Sequence, residues 1–209
     1  MPKGKLERRS YEFEVMAEEN ESGSIITGRP IVYNSTTNLG DFDEEIARGA
    51  LDNADLTDVR FLVNHDLSKI PLARSRRNNG NSTMTLSVDA DGMTIRVILD
   101  TENNADARAL WSAVKRGDIT GMSFMFGVSS EEWDNVESDH PLRRILEIST
   151  VIEVSAVTFP AYEDTEINAR SKEELESARL ALESARRQKA ESLESDRELA
   201  LLKAKLDIF

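Results

Sequence analysis

The chain has 209 residues and 39% hydrophobic content, which suits one core, as a single domain or a domain with an appendage. It has no cysteine, which excludes disulfides, thiolate metal sites and a cysteine nucleophile and fits a reducing compartment. Residues 170–209 hold nine basic and nine acidic residues, so residues 1–169 carry the whole net charge of −13. Such a surface repels phosphates, and no nucleic-acid partner is expected.

Residues 1–10 are charged and lack the apolar stretch of a secretion signal, and no later run approaches the roughly 18 apolar residues of a membrane span. A cytoplasmic location with no membrane partner is expected. Period-two alternation then predicts strands through most of residues 1–169. Tyr11, Phe13 and Val15 alternate with Glu12 and Glu14, and Ile31-Val32-Tyr33 closes an extended run after Gly28. A short helix is expected after Gly49, and a strand over residues 59–65. The cluster Arg74-Ser75-Arg76-Arg77 reads as a solvated loop.

Met84, Leu86 and Val88, then Met93, Ile95, Val97 and Leu99, form two alternating runs around Asp89-Ala90-Asp91-Gly92. That turn sequence predicts a hairpin. A helix should follow Asn103-Asn104, which can cap its free amides, with Leu110, Trp111 and Val114 on one face and Gly117 just past its end. Further strands are expected over residues 119–128 and within 145–159. The fold class is therefore mainly β with some α: a barrel or sandwich decorated by helices. From Ser171-Lys172-Glu173-Glu174, a capping-box pattern, no Gly or Pro occurs to the end. Leu175, Ala178, Leu182 and Ala185 make a narrow stripe, which predicts a largely solvated helix that packs on a partner. The division expected is residues 1–169 as the main domain and 170–209 as a helical tail.

Three residues could share one chemistry. His65 ends an apolar strand, where Phe61, Val63 and His65 share a face; alone it would serve as a structural histidine. Ser123 shares a strand face with Gly121, Met125 and Gly127, which implies an open approach, although glycines here could equally mark bulges. Glu153 lies inside the apolar run Val151-Ile152-Glu153-Val154, where a carboxylate needs a partner, while Glu147 competes with the same parity. A serine becomes a nucleophile when an imidazole, with an ordinary pKa near 6.5, takes its proton. A carboxylate on the other ring nitrogen fixes the tautomer. His140, in an Asp-His-Pro turn, has no assigned role, and no cofactor or metal is expected.

Four blocks then resemble the prohead protease family of tailed phages, relatives of the herpesvirus assemblins. They are Gly28 to Tyr33 with Phe42-Asp43-Glu44-Glu45 and Gly49-Ala50-Leu51; Phe61-Leu62-Val63-Asn64-His65-Asp66; Gly117-Asp118-Ile119-Thr120-Gly121-Met122-Ser123-Phe124; and Glu153-Val154-Ser155-Ala156-Val157-Thr158-Phe159-Pro160-Ala161. The resemblance implies an assemblin-like β-barrel and a serine endopeptidase. Such an enzyme cleaves capsid protein or its scaffold segment inside assembling proheads in the host cytoplasm, and processes itself. It carries the nucleophile onto Ser123 and the base onto His65. Assemblins use a second histidine as third member; none here is suitably placed, so Glu153 is chosen over Glu147. The competing class is a non-catalytic internal scaffold of the phage head, and self-association into a homo-oligomer is left open.

Overall fold

The computed structural model describes residues 6–12, 15–20, 23–158 and 169–206. Its strands fall into two hydrogen-bonded sheets. One is antiparallel, from β2 (Met16–Asn20), β3 (Gly23–Val32), β8 (Met84–Asp89) and β9 (Gly92–Leu99), in the order β2-β3-β9-β8. The other is mixed. Its path runs from β1 (Leu6–Glu12) through β10 (Gly121–Asp134) and β11 (Leu142–Val157) to β5 (Asp43–Ile46) and β4 (Thr37–Asn38). Two short strands, β6 (Arg60–Val63) and β7 (Ala73–Arg74), extend it from the far end of β11. The mainly-β expectation is met.

The predicted hairpin is present as β8 and β9, with Asp89 opposite Gly92. Gly92 has φ +138°, and a Cβ there would lie 2.0 Å from the Ile31 carbonyl oxygen, so only glycine lets the turn close against β3. Ile26 and Ile31 of β3, Leu86 of β8 and Ile95 and Val97 of β9 meet Phe124, Phe126, Val151 and Val154 of the mixed sheet in one buried apolar cluster. Helix α1 (Ala105–Arg116) closes one side with Ala107, Leu110 and Val114. Asn104 caps it by accepting from the amides of Asp106 and Ala107, and Gly117 ends it in the left-handed conformation (φ 76°).

Three expectations change. No helix follows Gly49. Its φ of +86° breaks the helical path, and the chain instead makes consecutive turns, Ala50 N–H to Ala47 O, Asp52 to Gly49 and Ala54 to Leu51. The run around Tyr11 divides into β1 and β2, with residues 13 and 14 outside those described. Helix α2 (Ala169–Leu206) buries Ala178 and Leu182, and half-buries Leu175 and Ala185, against this chain's own domain. Arg179 pairs with Asp41, and Arg186 donates to the carbonyls of Val136 and Ser138. The stripe is thus the docked half of the helix. Beyond it, Leu193, Leu199, Leu201 and Leu202 are exposed. Among the described residues, no helix is long and apolar enough to cross a membrane.

Candidate active site

Strand β11 carries the site because it changes partners along its length. Leu142 to Ile145 pair in parallel with β5; Glu153 to Ala156 pair in parallel with β6. On its other edge β10 runs antiparallel, which puts Ser123 opposite Ser155, with β1 beyond it placing Ser10 opposite Ser123. The hydrogen-bond register therefore brings Ser123 beside Arg9, 114 positions away.

His65 does not stand on the face of β6. The strand ends at Val63, and Asn64 and His65 both take left-handed conformations (φ 51° and 57°). Asparagine tolerates this region well, and its side chain secures the turn: Asn64 Nδ2 donates to Thr158 Oγ1 (2.9 Å) and Asn64 Oδ1 accepts from Thr158 N–H (2.9 Å). The turn swings the ring back over β11 toward β10. His65 Nε2 then lies 2.6 Å from Ser123 Oγ, and Nδ1 hydrogen-bonds Glu153 Oε1. The imidazole is mostly buried, and Ser123 and Glu153 are wholly so.

A fourth residue completes the chain of bonds. Ser155 Oγ donates to Glu153 Oε2 (2.6 Å) and accepts from the His65 backbone amide (3.1 Å). Both carboxylate oxygens of Glu153 are thus engaged, which meets the requirement for burying a charge in an apolar strand. Ser155 lies within one of the blocks that carry the family resemblance, and no role is expected for it from the sequence. The usable signal was its spacing: residues i and i+2 of a strand share a face. Glu147 is exposed, opposite Ser130, and outside this group. His140 lies at the surface, with Nε2 2.7 Å from Asp43 Oδ1.

The expected open approach to Ser123 is absent. Its hydroxyl also lies 2.8 Å from the Arg9 carbonyl oxygen of β1. One hydroxyl proton cannot serve Arg9 and His65 together. The glycine at 127 has a structural use, because register shifts flank it and a Cβ there would come within 2.7 Å of Ser149 Oγ.

Beneath β1 lies a buried ion network. Arg9 pairs with Glu7 (2.6 Å) and Glu44, and Arg143 pairs with Glu7 (2.7 Å), Glu44 (2.8 Å) and Glu131. Ser177 of α2 donates to Glu7 Oε1 (3.1 Å). Burial alone would raise the Glu7 carboxyl, but the Arg143 hydrogen bond and the charges of Arg9 and Arg143 hold it below its ordinary value. The same carboxylates raise both guanidinium groups against the opposing effect of burial.

A mainly-β scaffold with a serine hydroxyl, an imidazole and a buried carboxylate in one hydrogen-bonded line has the parts of a serine hydrolase. Residues 11–179 match the sequence model of the caudovirus prohead serine proteases. The chain belongs to that family and is a serine peptidase. Among solved structures, that of the bacteriophage T4 capsid assembly protease, gp21, aligns with a TM-score of 0.46 at 11% identity, over 75% of this chain and 98% of that one. No curated protein matches the chain in sequence.

Proposed function

We propose that this serine peptidase is an endopeptidase that cleaves capsid protein or its scaffold segment inside the assembling prohead. In this reading Ser123 is the nucleophile, His65 the general base and Glu153 the orienting acid. The observation that carries it is the unbroken line from Ser123 Oγ through both ring nitrogens of His65 to Glu153 and Ser155. With Nδ1–H donated to Glu153, Nε2 is free to accept the Ser123 proton as Oγ attacks the substrate carbonyl carbon. The imidazolium formed is stabilised by Glu153 and returns its proton to the leaving amine, which departs as the acyl-enzyme forms. Water, deprotonated by the same base, then releases the second product. Because Ser123 is wholly buried beside β1, the β1 edge has to yield before a peptide can be attacked.

Residues 1–169 serve as the protease domain in this reading, with 170–209 as a helical tail that docks the enzyme on capsid or scaffold protein and is shortened by the enzyme itself. The exposed leucines beyond the docked half of α2 support the docking role. The half of α2 beyond the docked stripe is exposed and charge-rich, and a helix without tertiary support opens readily, which supports its cleavage.

Ser123→Ala is expected to reduce cleavage of denatured capsid protein to background while thermal unfolding stays within a few degrees of wild type. Persistence at the wild-type rate would remove Ser123 from the mechanism. The same pair of proteins tests self-processing by intact mass. Wild type should lose mass from its C-terminal end, and Ser123→Ala should stay whole. Equal loss from both would assign the cut to another protease.

A further inference from the structure

Between α1 and the loop joining β6 to β7 lies a cleft of about 430 Å³. Much of its lining is apolar, from Leu62, Leu72, Leu110, Ala109, Ala113 and Ile119. We propose that this cleft is the specificity subsite of the peptidase, taking one large apolar side chain of the substrate next to the cleaved bond. The inference rests on His65 and Ser123 being the catalytic pair.

Position argues for the substrate as occupant. Asn64 and Asp66 both line the cleft, so the turn that aims His65 is itself one wall. Ile119, on another wall, lies four residues before Ser123 on the run leading into β10. The cleft thus adjoins the His65 turn on one side and the run into β10 on another, without being lined by His65 or Ser123 themselves. Ile70 at the mouth is 84% exposed, an apolar side chain available to cover an incoming residue. The volume lies within the range of sites that enclose small ligands and exceeds what an alanine side chain would fill.

Charge at the rim refines the choice. Lys69 pairs with Asp106 across the opening (3.5 Å), leaving Asp66 as the excess charge. Hydrogen bonds from Ser68 lower the Asp66 pKa and keep that carboxylate ionised. An acidic substrate side chain would meet this negative rim and a largely apolar lining, so Asp and Glu should be the poorest occupants. Leu, Met and Phe should be the best.

The test uses the full chain and a mixture of peptides in which the residues on both sides of each potential cut are varied. Cleaved bonds are identified by mass spectrometry and scored as the kcat/KM ratio of large apolar to small residues at each position. At one position wild type should prefer the large residue by about 10- to 100-fold. Ala109→Phe, which fills the cleft from the surface of α1, should lower that ratio at least tenfold. Ile70→Ser, at an exposed position that folding does not need, should lower it several-fold. A ratio unchanged in both variants, with Ser123→Ala inactive, overturns the subsite and leaves the catalytic reading intact. Cleavage that survives Ser123→Ala sinks the catalytic reading and the subsite with it.

Discussion

The two sheets hold together by different means. The β2-β3-β9-β8 sheet buries Ile25, Ile26, Ile31, Met84, Leu86, Met93, Ile95, Val97 and Leu99, and among its described residues Ser24 is the one buried polar side chain. The mixed sheet buries Glu7, Arg9, Glu44, Ser123, Arg143, Glu153 and Ser155 beside its apolar residues. Apolar burial is non-directional and roughly proportional to area, so the first sheet needs only the right pattern. Buried charges are costly unless each is paired and hydrogen-bonded, and they add little net stability. What they add is position. The mixed sheet accepts that cost along the strands that hold Ser123 and Glu153, so the polar interior belongs to the site more than to the fold.

The sharpest way to break that distinction is to change charge without changing shape. Glu153→Gln keeps the side-chain size but cannot stabilise an imidazolium, and should lower kcat by about a thousand- to ten-thousand-fold. Glu147→Gln, at an exposed position, should leave it within about tenfold. The reverse ranking, measured on one peptide substrate, would transfer the acid's role to Glu147.

The same division explains what the sequence discloses. In the antiparallel sheet the period-two runs and the Asp89-Ala90-Asp91-Gly92 turn mark β8 and β9, which pair as sequence neighbours as β2 and β3 do, and alternation decides the buried face even where β3 meets β9 at long range. In the mixed sheet, the pairings that build the site, β1 with β10 and β11 with β6, are long-range. Nothing local to Ser123 announces that β1 will lie beside it and bury it, so the glycines around it read as an opening. Alternation also misplaces His65, since two left-handed residues replace the strand there, and Asn64 was the available hint. Arg9, Glu44 and Arg143 look like ordinary surface charges until topology stacks their strands. The grouping of His65, Ser123 and Glu153, which the structure joins by hydrogen bonds, was legible because the chemistry proposed for them restricts residue type. Ser155, which hydrogen-bonds Glu153 and the His65 amide, was not.

Ser155 accordingly offers a smaller test of position. Ser155→Ala removes one hydrogen bond to Glu153 and one from the His65 amide, but leaves the side chains of Ser123, His65 and Glu153 in place. Turnover should fall about 10- to 100-fold, mostly in kcat, because the loss is of orientation rather than of substrate binding. Ser155→Thr, which keeps the hydroxyl, should recover most of it. Equal loss in both variants would mean that packing at this buried site matters and the hydroxyl does not.

The smallest expected effect lies in the acid sensitivity of the network under β1. Arg143 and Arg9 hold the folded-state pKa of Glu7 below its unfolded value. A group shifted in this direction stabilises the fold fully above its unfolded pKa, roughly 4.3, and loses that contribution as pH falls through the folded pKa. Each unit of depression is worth about 1.4 kcal/mol. Glu7→Gln should therefore be less stable than wild type at pH 7, and the gap should narrow steadily below about pH 4.5, as urea unfolding at a series of pH values would show. Ile95→Ala, in the apolar sheet, should cost about 2 to 5 kcal/mol with no such pH dependence. If the Glu7→Gln gap stays constant down to pH 3, the carboxylate's charge is not what anchors β1. If the Ile95→Ala gap narrows with it, acid acts on the whole fold, and the division between a charge-positioned sheet and an apolar one does not hold.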